Sequence, residues 1–156
     1  MQLTEHFALE EFARDGASVP DSCVPAFRAL CEKLLEPLRV HFGEEIVITS
    51  GYRSAGANAA AHGVKNSQHV ATEMYCAADW KIPSMECNLR GVFDLVRNSS
   101  ALEFDQLILE HDPRTGTDVI HSSYSRAFNR RIALEGETAN AAAYKSWPVV
   151  TAAVDA

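Results

Sequence analysis

The chain has 156 residues, of which 47% are hydrophobic and 22% charged, a composition typical of one globular domain and not of a disordered or fibrous protein. Its formal net charge of −7 argues against a nucleic-acid partner, because binding to phosphates requires clustered lysine and arginine side chains. The four cysteines form no CxxC pair, so we expect reduced thiols and no cysteine-based zinc site.

The sequence predicts neither an ordinary signal peptide nor a membrane helix. Residues 1–6 lack the basic start and apolar run of a signal peptide, and no apolar stretch approaches the roughly 20 residues of a membrane helix. We therefore expect a protein that is made in the cytoplasm and has no membrane partner. We also expect it to be a monomer.

The first part of the chain is predicted to be mainly helical. Residues 7–14 indicate a short helix whose two phenylalanines are directed inward. Apolar residues then recur at helical spacing over residues 25–42, where Pro37 should kink the helix and Gly43 should end it.

The remainder combines strands with one further helix. Residues 51–68 are rich in small and polar residues and predict a loop with one helical turn, whereas residues 88–98 predict an amphipathic helix. A hairpin turn is expected at residues 112–116. The predicted strands are 45–50, 77–82, 104–110 and 118–123.

This order of elements predicts an α+β fold. We expect a single domain over residues 1–137, with a small antiparallel sheet that is flanked by helices and carries the candidate site described next, a zinc site formed by His69, Asp79 and His121. Residues 138–156 are rich in alanine and threonine and are predicted to be a loosely attached C-terminal tail.

Three residues have the chemistry of a metal site. His69 follows a polar loop, Asp79 lies on the next predicted strand, and His121 lies on a hairpin strand. Two imidazoles and one carboxylate, with a fourth position left for water, are typical of a catalytic zinc site and not of a structural one.

Several ordered blocks of sequence resemble the M15 metallopeptidases, which include D-alanyl-D-alanine carboxypeptidases and related phage endolysins. The resemblance extends over roughly residues 3–126, and several blocks in the same order are more specific than any one alone. The blocks are ITSGYRS at 48–54, Asn58, SQH at 67–69, AAD at 77–79, and the segments 7–12, 35–39, 104–108 and 119–124.

The resemblance implies a role for each matching residue. His69, Asp79 and His121 would be the zinc ligands. Arg53 would hold the carbonyl oxygen or carboxylate of the substrate and stabilise the oxyanion, a task that suits its permanently charged guanidinium. Ser67 would contact the peptide.

The resemblance leaves two candidates for the general base that such a reaction requires. Asp118 precedes His121 in the acidic-x-x-His arrangement of several family members. Glu110 ends the preceding strand, where a related subgroup often has glutamate. We favour Glu110 slightly because its strand matches that subgroup better, and Asp118 stays open.

The interval between His69 and Asp79 departs from the family pattern. It holds nine residues, about three more than usual, and Thr72 stands where a glycine is expected. Cys76 and Glu73 are therefore alternative ligands, although Asp79 is favoured because the AAD block and its strand match together. An insertion at this point could also have disabled the metal site.

The function implied by the resemblance is hydrolysis of peptidoglycan stem peptides, at D-Ala-D-Ala or at L-Ala-D-Glu. Without a signal peptide, the protein would resemble an endolysin that acts in the periplasm or cell wall after release, or a lysin carried on the virion. The alternatives are a catalytically inactive binding or virion structural module on the same fold, and an intracellular dipeptidase.

Overall fold

A long helical segment forms where apolar residues recur at helical spacing. The computed structural model describes residues 1–138 and 140–151, and in it this segment comprises α1 (Val24–Leu30), a π-helical turn (Cys31–Leu35) and α2 (Glu36–Phe42). The π-helical turn lies just before Pro37, which lacks a backbone N–H, so the hydrogen-bond pattern of the helix changes beside the proline. Gly43 ends α2 in the left-handed conformation, with φ of 65°.

The other helical elements are short. The predicted helix at 7–14 is a 3-10 turn, Leu9–Phe12, and the side chains of Phe7 and Phe12 are buried. Helix α3 (Ala55–Ala60) lies in the predicted loop, and α4 (Leu89–Arg97) buries one apolar face. Further 3-10 turns are Asp21–Cys23, Pro83–Asn88 and Ala141–Ala143.

Six strands form one sheet in the order β1-β2-β4-β3-β5-β6. The four predicted strands correspond to the first four, with shifted ends. The strands are β1 (Val47–Ser50), β2 (Tyr75–Lys81), β3 (Gln106–Asp112), β4 (Thr117–Ser125), β5 (Ile132–Glu137) and β6 (Lys145–Trp147).

The predicted α+β class is confirmed, although the sheet is mixed and not purely antiparallel. Strand β5 runs parallel to β3, while the other neighbouring strands are antiparallel. The parallel pair arises because the chain crosses from β4 to the far side of β3 before forming β5. Strand β6 lies within the segment predicted to be a C-terminal tail, and residues 152–156 of that segment are outside the described residues.

The two faces of the sheet have different roles. Helices α1 and α4 pack against one face and enclose the hydrophobic core, to which Cys76, Ala78 and Trp80 of β2 contribute. Because side chains alternate along a strand, Asp79 lies on the opposite face. Within the described residues, no helix has both the length and the apolar character required to cross a membrane.

Candidate metal centre and active site

Strand pairing places three of the candidate residues together. Asp79 of β2 and His121 of β4 are directly opposite each other. His121 is also opposite Ile108 of β3, and Glu110 lies two residues further along on the same face. The register therefore brings Asp79, His121 and Glu110 to the face opposite α1 and α4.

His69 joins Asp79 and His121 in a compact cluster, in which one ligand-type atom from each residue lies within 4.8 Å of the others. Asp79 Oδ1 is 2.8 Å from His121 Nδ1 and 3.3 Å from His69 Nε2. The two imidazole nitrogens are 3.3 Å apart. The histidines are only 4% and 8% exposed, so bulk water has little access to their rings.

Backbone contacts orient His69. Its Nδ1 lies 2.7 Å from the carbonyl oxygen of Gly51, and its own carbonyl oxygen accepts a 2.8 Å hydrogen bond from the backbone N–H of Arg53. Since Nδ1 must carry the proton to donate to Gly51, Nε2 is left with a free lone pair. Metal-binding histidines commonly donate the N–H of their other ring nitrogen to a backbone carbonyl oxygen in this way.

The inserted residues between His69 and Asp79 form a loop that is anchored on both sides. The Cys23 thiol donates to the carbonyl oxygen of Ala71 at 3.4 Å, and the Thr72 N–H donates to Tyr75 at 2.9 Å. The backbone N–H of Arg126 donates to Met74 at 2.8 Å. Glu73 and Met74 of this loop are exposed, while His69 and Asp79 on either side of it stay 3.3 Å apart.

The two alternatives to Asp79 lie away from the cluster. Cys76 is fully buried in the core on the helical face of β2, where burial raises the pKa of its thiol well above the usual value. Glu73 is exposed in the inserted loop. Among the three candidates, only Asp79 reaches both histidines.

The charges in the cluster favour an ionised carboxylate. Burial alone would raise the pKa of Asp79, but the adjacent His69 and His121 outweigh burial and hold it well below its usual range. Burial likewise opposes protonation of His69, whose pKa is nevertheless raised by Asp79. The cluster therefore combines an ionised carboxylate with two imidazoles, which is the set of groups that a divalent cation binds.

The two candidate bases lie on opposite faces of the sheet. Burial and the charge of Asp79 raise the pKa of Glu110, which faces the cluster. Asp118 is opposite His111 in the β3–β4 register, and its Oδ1 is 2.7 Å from His111 Nδ1. Because His111 is one residue beyond Glu110 on β3, Asp118 and Glu110 are directed to different sides.

Arg53 lies beside the cluster in a polar network. Its Nη2 donates to Ser50 Oγ at 2.8 Å and lies 3.7 Å from Asp79 Oδ2. Its Nε is 3.5 Å from Asp15 Oδ1, and Ser50 donates to the other oxygen of Asp15 at 2.8 Å. Asp15 was not among the predicted site residues, because an aspartate before Gly16 indicates only a turn and no local signal relates it to Arg53.

Ser67 supports the loop that carries His69. Its Oγ accepts a hydrogen bond from the backbone N–H of His69 at 3.3 Å, and its side chain is partly exposed. The structure therefore places Ser67 next to the cluster through His69.

The donor set is of the chemical class that holds zinc, and two of its three separations match a tetrahedral ion. In a tetrahedral zinc site each nitrogen ligand lies about 2.0–2.1 Å from the ion, so two such nitrogens are about 3.3 Å from each other. The separation of His69 Nε2 from His121 Nδ1 is 3.3 Å, and His69 Nε2 is the same distance from Asp79 Oδ1. The third separation, between His121 Nδ1 and Asp79 Oδ1, is shorter, at 2.8 Å. Two imidazoles and one carboxylate are also the ligand class of catalytic zinc sites.

Comparison with known proteins identifies the family. A family model described as Peptidase M15 matches residues 5–115, which is more than half of the 156 residues. The matched span includes His69, Asp79 and Glu110, whereas His121 lies beyond it. Searches of curated proteins and of solved structures gave no match. The predicted resemblance is confirmed, and the chain belongs to the M15 family of peptidases.

Proposed function

We propose that this M15 peptidase is a zinc-dependent hydrolase of peptidoglycan stem peptides, cutting at D-Ala-D-Ala or L-Ala-D-Glu in the manner of a phage endolysin. The observation that carries the proposal is the buried cluster of His69, Asp79 and His121, with Glu110 on the same face of the sheet. The family supports peptidase activity, and the donor set supports zinc. The protein would act in the cell wall, after release from the cytoplasm or as part of a virion.

His69, Asp79 and His121 would hold a zinc ion, which when bound would supply a Lewis acid that polarises the scissile carbonyl and lowers the pKa of water. Glu110 accepts a proton from the attacking water and passes it to the leaving amine. Its raised pKa suits a group that has to take up and then release the same proton. Asp118 faces away from the cluster, so Glu110 is the base that we propose.

Arg53 and Ser67 are proposed to act on the substrate. The Arg53 guanidinium is 17% exposed beside Asp79, and its Nε is buried without a hydrogen-bond partner among the described residues. A guanidinium in this position can stabilise the negative charge that develops on the carbonyl oxygen. Ser67, which is partly exposed next to His69, would contact the peptide backbone.

The test combines elemental analysis with wall digestion. Purified protein is dialysed and its zinc content measured, alongside His69→Ala, His121→Ala and the control His41→Ala, which removes an exposed histidine on α2. Wild type and the control should retain about one zinc per chain and release peptides from isolated peptidoglycan, as mass spectrometry would show. The two site variants should do neither, with unchanged circular dichroism spectra.

The opposite result favours the non-catalytic alternative. If wild-type protein retains no zinc after zinc is added, or if His69→Ala digests peptidoglycan as well as wild type, the proposed hydrolase mechanism is excluded. A binding or virion structural module on the M15 fold would then be the better interpretation.

A further inference from the structure

A tyrosine from the C-terminal segment lies on the same face of the sheet as the candidate site. Gly136 of β5 is directly opposite Glu110 of β3, so a Cβ atom at position 136 would point to the same face as the Glu110 side chain. That Cβ atom would meet Cδ1 of Tyr144 at 2.2 Å. The ring of Tyr144 therefore covers Gly136 beside Glu110, in space that only glycine leaves open.

The segment that carries Tyr144 is held against the domain. Strand β6 pairs with β5, and Trp147 Nε1 donates a 2.8 Å hydrogen bond to Glu135 Oε2 on the helical face. The guanidinium carbons of Arg90 and Arg97 in α4 lie 4.9 and 5.1 Å from the centroid of the Trp147 ring. These contacts anchor the chain three residues beyond Tyr144 and limit where its ring can lie.

Because the Tyr144 ring covers Gly136, which is directly opposite Glu110, the phenol lies close enough to that carboxyl for the two groups to shift each other's pKa. Burial and then the charge of Glu110 raise the pKa of Tyr144, with a further contribution from Asp79. The phenol is therefore protonated at neutral pH and can act as a hydrogen-bond donor. Tyr144 is partly exposed, so its ring also forms part of the boundary between Glu110 and solvent.

We propose that Tyr144 is a positioning residue of the active site, whose phenol, held over Gly136 by β6, orients the carboxylate of Glu110. The inference rests on the proposed function of Glu110 as general base. A catalytic group that is displaced by about 1 Å can lose roughly 100-fold in rate, so a donor that holds the carboxylate contributes to turnover without contacting the substrate.

The first test is a kinetic comparison of single and double variants. Tyr144→Phe keeps the ring on Gly136 and removes only the hydroxyl, so kcat should fall roughly tenfold with little change in KM. The same change in a Glu110→Gln background should cause no further loss, because Tyr144 acts through Glu110. If Tyr144→Phe lowers kcat roughly tenfold in the Glu110→Gln background as well, the proposal is overturned.

The control removes a comparable hydroxyl elsewhere. The Tyr124 hydroxyl donates to Glu103 at 3.3 Å, and Tyr124 packs in the core on the helical face. Tyr124→Phe should leave kcat unchanged, whereas Gly136→Ala, which displaces the Tyr144 ring, should lower kcat as Tyr144→Phe does. A Gly136→Ala variant with normal kcat would contradict the proposed placement of Tyr144.

A second measurement does not depend on peptidase activity. Urea unfolding of wild type, Tyr144→Phe, Glu110→Gln and the double variant reports whether the two side chains are coupled. We expect non-additive changes in the free energy of unfolding, and additive changes would overturn the pairing. If wild-type protein hydrolyses no wall peptide, the proposed function fails, and the unfolding measurement still decides whether Tyr144 holds Glu110.

Discussion

Asp79 and His121 are directly opposite each other in the β2–β4 pair, and Asp79 Oδ1 lies 2.8 Å from His121 Nδ1. Two of the three candidate zinc ligands are thus positioned by the register of one strand pair. A shift of one residue would move either side chain to the helical face. His69 then completes the cluster from a loop, with its ring bonded to the carbonyl oxygen of Gly51 and its own carbonyl oxygen bonded to the N–H of Arg53.

Zinc should stabilise the folded protein through this cluster. At a free zinc concentration of 100 times Kd, binding adds about 2.7 kcal/mol to the free energy of unfolding. For a chain of this size that corresponds to an increase in Tm of roughly 5–10 °C. Calorimetry of metal-free protein with and without zinc measures the shift, which should vanish in His69→Ala. An equal shift in that variant would place the zinc elsewhere.

The two candidate bases can be separated by a matched pair of substitutions. Glu110→Gln should lower kcat by about 10²- to 10⁴-fold, the usual contribution of a general base, while zinc content stays near that of wild type. Asp118→Asn should change kcat little, because Asp118 contacts His111 on the other face. Steady-state hydrolysis of a stem-peptide substrate measures both. The reverse order of losses would assign the base to Asp118.

Replacing Arg53 by lysine should reduce turnover even though the charge is kept. Lysine cannot reproduce the planar contacts of Arg53 to Ser50 and toward Asp15 and Asp79, and loss of one oxyanion donor costs about 10²- to 10³-fold in kcat. Arg114→Lys, which changes an exposed arginine in the β3–β4 turn, is the matched control. Equal activity of both variants would remove Arg53 from the mechanism.

His111 should make stability depend on pH. A hydrogen bond to Asp118 is the main cause of its raised pKa, burial opposes the shift, and Glu135 contributes in the same direction. Its stabilising effect is therefore complete below about pH 6.5, the unfolded value, and is lost as pH rises through the higher folded value. The urea midpoint of wild type relative to His111→Gln should fall over that range. A constant difference would show that His111 does not bind its proton more tightly in the folded state.

Asp105 should be important for stability and not for catalysis. It is 2% exposed and accepts hydrogen bonds from both the backbone N–H and the guanidinium of Arg130. Asp105→Ala should lower the free energy of unfolding by about 1.5–3 kcal/mol, because Arg130 loses its hydrogen bonds to a buried, charged carboxylate. Asp112→Ala, which breaks an exposed pair with Arg114, should cost less than about 1 kcal/mol. Urea unfolding compares them, and similar losses would contradict this difference.

The predicted helices and the first four strands depend on short-range patterns, which explains why they could be found from the sequence. Gly43 and Pro37 mark helix boundaries through their own backbone geometry, and β1 is a short β-branched run. Strand β5 lacks such a pattern, since it contains Glu135 and Gly136. Its conformation depends on pairing with β3, a contact between distant parts of the chain.

The sequence by itself determined the residue types of the candidate metal site, because two histidines and an aspartate in a recurrent family pattern have a specific chemistry. The tertiary structure decided which side chains meet. It placed Glu110 on the face of the sheet that carries the cluster and Asp118 on the opposite face. It also directed Cys76 into the hydrophobic core. It also brought Asp15 and Tyr144 to the site from distant segments. Alternation along each strand determines which face a side chain takes, whereas the register, which determines which side chains meet, depends on pairing between distant parts of the chain.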